Sequence, residues 1–210
     1  HREIHATLVR EFLSDGIVVA ELKSIAAYGE QCTRRPTLTG LHNAGYAFLA
    51  KDLLVEKGLA SAENVALIGT SHGGWTATYA SKMDIASSAY MRLKNKDPFA
   101  AIVAMVPWCD RFRAVDTLVK TPLLILGGDA DTWTPVEQCV ELFKGDSNVT
   151  IHIYKDATHA YDYPGSVITQ GQRGAHRLTY HREATLDSIS KSSEFIKKYL
   201  KLSNEKNILK

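Results

Sequence analysis

The sequence predicts an α/β fold, a mostly parallel sheet with helices on both faces, and three observations predict it. Segments with apolar residues at helical spacing alternate along the chain with short apolar runs of strand length. Two of those runs, Ala100 to Val106 and Pro122 to Leu126, are apolar almost throughout, as central parallel strands covered on two faces should be. A third, Val65 to Ile68, passes through Gly69, Thr70, Ser71, His72, Gly73 and Gly74 into a stretch without a helix breaker, so it reads as strand, sharp turn and helix.

The remaining elements follow in order. His5 to Leu13 sets Ala6, Leu8, Val9, Phe12 and Leu13 at helical intervals, and Asp15 with Gly16 ends that helix. Ile17 to Leu22 reads as a strand, and Tyr28 to Gly40, with Gly29, Pro36, Arg34 and Arg35, has loop composition. From His42 to Glu56 the set Ala44, Ala47, Phe48, Leu49, Leu53 and Leu54 repeats at helical spacing, with Gly58 as the stop. After the turn at Ser71, Trp75 to Ser81 continues as helix, Asp84 to Asp97 is a mixed surface excursion, and Trp108 to Lys120 connects the two central strands. Thr134, Pro135, Val136 and Glu137 spell a capping box with proline at the first helical position, predicting a helix to about Phe143. Val149, Ile151 and Ile153 alternate with polar neighbours in a last strand, and Leu186, Ile189, Phe195, Ile196, Tyr199 and Leu200 mark one face of a terminal helix. With 210 residues, 45% of them apolar, one domain over the whole chain is expected.

Composition excludes several classes of partner. Lys and Arg number 25 against 23 Asp and Glu, so a net charge of +2 offers no field for nucleic acid, and the few local basic pairs read as solvated surface. Three cysteines, Cys32, Cys109 and Cys139, are widely spaced and in no CxxC arrangement, so they are expected reduced and buried, with neither a disulfide framework nor a metal site. No cofactor is implied. No apolar run approaches the roughly 18 residues of a membrane helix, and no membrane partner is expected. Absence of a signal-like segment favours the cytoplasm, although a chain that begins at His1 rather than Met leaves secretion open.

Chemistry concentrates at Ser71. Gly69 and Gly73 flank it in a GxSxG pattern, in which a strained strand-to-helix turn lifts the hydroxyl to the carboxyl edge of a sheet. A serine hydroxyl is a poor nucleophile at neutral pH, so it needs a histidine to take its proton and a carboxylate to fix that histidine's tautomer. On this architecture the chain order is serine, acid, histidine, each after a strand. Gly127 to Asp131 follows the Pro122 strand directly; Asp131 is the better acid, with Asp129 as the alternative or as the residue that holds the turn. Of the eight histidines, His152, His159, His176 and His181 satisfy the order, and His159 alone lies in the loop after the last strand between the small residues Thr158 and Ala160. His152 falls within a strand, and His176 and His181 have none before them. His72 supplies one backbone N–H to an oxyanion hole, its side chain fixing the turn.

Taken together, Gly69 to Gly74 with its strand, the Gly128 to Pro135 segment and His159, Ala160, Tyr161, Asp162 resemble the dienelactone hydrolase family of α/β-hydrolases, from about Asp15 to Leu200. The resemblance implies Ser71 as nucleophile, Asp131 as acid and His159 as base, with Cys139 in the helix after the acid. Two departures stand out. Dienelactone hydrolases proper carry cysteine at the elbow, so serine here implies a broader action on a small-molecule ester, lactone or thioester. The family also places strands, and a loop with the second oxyanion donor, before the first helix; none precedes His5, so an N-terminally incomplete chain is expected, with an exposed sheet edge that favours homo-oligomers. A weak or inert scaffold, a peptidase and an acyltransferase are the rival expectations. Pocket walls are expected from Tyr28 to Gly40, Trp108 to Arg113 and Trp133; Arg34 or Arg35 could meet a substrate carboxylate there, with plain solvent exposure as the favoured reading of both.

Overall fold

Two apolar strands with side chains alternating between faces need cover on both sides, and this is how the core is built. The computed structural model describes residues 2–23, 40–82, 97–109, 119–171 and 174–202. Its elements run α1 (Arg2–Ser14), α2 (Gly40–Glu56), β1 (Leu67–Thr70), α3 (His72–Lys82), β2 (Ile102–Met105), β3 (Leu123–Gly128), α4 (Glu137–Leu142), β4 (Val149–Tyr154), β5 (Ser166–Gly171), β6 (Gly174–Thr179) and α5 (Arg182–Tyr199). Strands β1 to β4 pair in that order, all parallel, with Gly69 opposite Ala104, Ala104 opposite Ile125 and Ile125 opposite Ile151.

That register sorts the side chains. Ile102, Ala104, Leu123 and Ile125 meet Ala44 and Phe48 of α2, Trp75 and Tyr79 of α3 and Cys139 of α4. Val103, Met105, Leu124 and Leu126 turn the other way, onto Ile4, Leu8 and Phe12 of α1 and Ala184, Ile189 and Ile196 of α5. Helices therefore cover both faces, as the unbroken apolar runs predict. Helix α2 closes at Gly58, whose φ of 68° suits glycine, with Gly58 N–H on Val55 O and Leu59 N–H on Leu54 O.

Four expectations are corrected. Residues 17–23 form no strand: among the described residues β1 pairs with β2 alone, and Ile17 and Val19 rest on the core while Val18 is exposed, so the alternation is used for packing without a ladder. The capping box does not form; α4 starts at Glu137 after Val136, which has no side-chain cap, because the Thr134 hydroxyl is engaged elsewhere. Cys109 and Cys139, both buried, are joined in a disulfide that ties the exit of β2 to α4; Cys32 lies outside the described residues. Finally, the segment before His176, read as lacking a strand, is an antiparallel hairpin of β5 and β6, with Thr169 opposite His176. Most of the Tyr28 to Gly40 segment read as loop, with Arg34, and most of the segment from Asp84 to Asp97 also lie outside the described residues.

Candidate active site

Parallel strands present their carboxyl ends on one edge, and three loops meet there. The first is the turn between β1 and α3. Ser71 has φ 55°, a left-handed conformation that a non-glycine residue holds only when its surroundings impose it. Two hydrogen bonds impose it: Ser71 N–H donates to Met105 O at 2.9 Å, and Ser71 O accepts from Trp75 N–H at 2.9 Å. The glycines explain themselves by space. A Cβ on Gly69 would lie 2.0 Å from Gly73 O, and one on Gly74 would lie 2.6 Å from Met105 O, whereas one on Gly73 would meet nothing within 4 Å. Close approach thus requires Gly69 and Gly74, the second of which the five-residue motif omits. His72 opens α3, where first-turn N–H groups have no partner within the helix; its ring stands edge-on to Trp75, centroids 5.4 Å apart.

The loops that carry Asp131 and His159 follow β3 and β4 and are bonded to each other. Ala130 N–H donates to Ala157 O at 3.1 Å, and Asp156 N–H donates to Asp129 Oδ1 at 2.6 Å, so Asp129 holds the turn. Asp131 is buried, and its Oδ1 accepts from Trp133 N–H at 2.8 Å and Thr134 N–H at 2.9 Å. Its Oδ2 lies 2.9 Å from His159 Nδ1, and His159 Nε2 lies 2.8 Å from Ser71 Oγ. The structure thus brings Ser71, His159 and Asp131 into one hydrogen-bonded line.

The partners assign the tautomer. A carboxylate only accepts, so Nδ1 carries the proton and Nε2 is left to accept from the Ser71 hydroxyl. Burial acts to raise the Asp131 carboxyl, yet the His159 hydrogen bond and charge, with those from Thr134, hold it below the ordinary range. Thr134, read in the sequence as a cap, completes the group: its hydroxyl lies 2.8 Å from Asp131 Oδ2, 2.9 Å from His159 Nδ1 and 3.0 Å from Val106 O. The other histidines allowed by chain order have partners of their own. His152 pairs with Asp187 at 3.5 Å, His181 caps α5 by accepting from Ala184 N–H, and His176 Nδ1 meets Thr132 Oγ1 at 2.9 Å. Of the expected pocket walls, Trp133 packs on His159 with centroids 5.1 Å apart, while Trp108 packs on Trp75 at 5.4 Å. Among the described residues no cluster of three or more His, Cys, Asp or Glu could hold a metal ion, and no helix is long and apolar enough to cross a membrane.

Comparison with known families matches residues 54–200, from the end of α2 to the end of α5, to the model described as the dienelactone hydrolase family. The chain belongs to the dienelactone hydrolase family. Its fold is that of the α/β-hydrolases. Esterase 2 of Thermogutta terrifontis, phosphoramylated by tabun, is 14% identical with a TM-score of 0.57, over 79% of this chain and 68% of that one. An alpha-beta serine hydrolase homologue from Coxiella burnetii is 14% identical, TM-score 0.54, over 91% of this chain and 76% of that one. The acylaminoacyl peptidase of Pyrococcus horikoshii is 18% identical, TM-score 0.56, over 80% of this family member but 29% of the peptidase. At these identities the likeness is one of fold. No curated protein sequence matches the chain.

Proposed function

We propose that this dienelactone hydrolase family member is a serine hydrolase that cleaves a carboxylic ester, lactone or thioester through an acyl-Ser71 intermediate. The observation that carries the reading is the unbroken line from Ser71 Oγ through the His159 imidazole to Asp131 Oδ2. His159 Nε2 takes the hydroxyl proton as Ser71 Oγ attacks the carbonyl carbon, and Asp131 stabilises the imidazolium that results. The carbonyl oxygen becomes an oxyanion that accepts from the His72 backbone N–H. When the tetrahedral species collapses, the bond to the leaving oxygen or sulfur breaks and His159 returns the proton to it. Water, deprotonated by the same nitrogen, then attacks the acyl carbon; the bond from that carbon to Ser71 Oγ breaks, His159 returns the proton to Oγ, and the carboxylic acid leaves.

Two measurements test this reading. Intact mass after treatment with a serine-directed phosphonate should show one adduct that disappears in Ser71→Ala. Turnover of short acyl esters should vanish in His159→Ala. An unlabelled protein, or equal labelling of Ser71→Ala, refutes it. We further infer an oxidising compartment, because a buried disulfide between Cys109 and Cys139 persists where thiols are not kept reduced. Alkylation before and after reduction, read by mass on protein from its native source, should mask both cysteines until reductant is added; alkylation of both without reductant places the protein elsewhere.

A further inference from the structure

We propose that His176 is a positioning residue for His159, acting through Trp133; the inference rests on His159 being the base proposed above. His159 lies in a loop, so no ladder fixes its ring. Nδ1 is tied to Asp131, and one side of the imidazole lies against Trp133, centroids 5.1 Å apart at 36°. Trp133 is itself only half-buried in the acid loop and needs backing. His176 gives it: the two rings stack at 5.0 Å and 10°, and His176 is buried at 3% exposure.

The β5–β6 hairpin is anchored to hold that stack. Thr132 Oγ1 meets His176 Nδ1 at 2.9 Å, which fixes the His176 ring from the acid loop. Gly171, at the hairpin turn, sits so close to Trp133 that a Cβ there would lie 2.7 Å from Cε2. On the base loop, Thr158 Oγ1 accepts from Thr179 N–H at 2.8 Å and donates to Thr179 O at 3.2 Å. The hairpin therefore grips both loops, and its His176 packs on the Trp133 ring that in turn packs on His159. An imidazole that has lost this support can turn away from Ser71, and misplacement of a reacting group by an ångström costs on the order of a hundredfold in rate.

The test compares kcat and KM for a short acyl ester, and the rate of Ser71 phosphonylation, in His176→Ala, His176→Phe and Thr132→Val. His176→Ala should lower kcat and the labelling rate by about ten- to a hundredfold with KM little changed. His176→Phe keeps a ring against Trp133 and should recover most of the loss. If His176→Ala does not fold, Thr132→Val, which removes the bond to His176 Nδ1, should still lower kcat with KM little changed. Wild-type kcat in His176→Ala, or equal losses in His176→Ala and His176→Phe, overturns the proposal. Turnover that survives in His159→Ala would instead refute the underlying reading, whereas its loss there alongside a fully active His176→Ala refutes this inference alone.

Discussion

The Thr134 hydroxyl lies 2.9 Å from His159 Nδ1, the same distance at which Asp131 Oδ2 approaches that nitrogen. Thr134 has one proton to give and two acceptors in reach, Asp131 Oδ2 at 2.8 Å and Val106 O at 3.0 Å, while its lone pairs face the Nδ1 proton. It therefore ties the end of β2 to Asp131 and His159. Replacing Thr134 with Val keeps the volume and removes the hydroxyl. A loss of about 1–2 kcal/mol in unfolding free energy is expected from the unmade hydrogen bonds, and kcat should fall about tenfold as the imidazole loosens. Thr134→Ser should keep most of both. Denaturant unfolding and ester kinetics on the three proteins measure this; Thr134→Val with wild-type kcat would remove Thr134 from the site.

Acid should weaken the Asp131 network in a defined direction. Burial favours the neutral acid, but the bonds from His159 and Thr134 prevail and the carboxyl stays below its ordinary value of 3.8. A pKa depressed by folding means that the carboxylate stabilises the fold above the unfolded value, and that this contribution fades as pH falls through the folded one. The stability difference between wild type and Asp131→Asn should be level above about pH 5 and shrink below pH 4. Urea unfolding from pH 3 to 6 checks it, and a difference that grows toward acid would contradict the assignment.

The Cys109–Cys139 bond closes a loop across 30 residues of sequence and ties two of the segments that frame the site. By chain entropy such a closure is worth about 3–4 kcal/mol. Reduction, or replacement of both cysteines by alanine, should lower the thermal midpoint by several degrees. The midpoint with and without dithiothreitol decides, the double alanine variant serving as the control that reductant should not move. Equal midpoints for oxidised and reduced protein would leave the bond without a stabilising role.

What the sequence discloses depends on where each residue's partners lie. Strands β2 and β3 are legible because both faces are buried, so Ala101 to Val106 and Leu123 to Leu126 have no polar positions. Ser71, Asp131 and His159 are legible by chain order, since each follows a strand of the same sheet. The hairpin is not, because Val167 and Ile168 are both exposed and neither strand alternates against a core. Thr134 spells a cap in one dimension, and only folding brings Asp131 and Val106 O to its hydroxyl. The cysteine pairing escapes the spacing for the same reason: β2 and β3 must lie side by side before Cys109 and Cys139 meet.

The two motif glycines should respond oppositely to alanine. At Gly69 a methyl would lie 2.0 Å from Gly73 O, a backbone atom that can retreat only if α3 moves off β1. That shift would also break the bonds that impose the left-handed Ser71, so Gly69→Ala should cost about 3 kcal/mol, the upper part of the usual range for overpacking, and most of the Ser71 labelling. At Gly73 a methyl would meet nothing within 4 Å, and the position lies in the first turn of α3. Gly73→Ala should fold and gain up to about 1 kcal/mol, because alanine loses less backbone entropy in a helix. Thermal unfolding of the two variants beside wild type tests the contrast. Equal destabilisation would mean that the turn, and not the approach of β1 to α3, demands glycine at both positions.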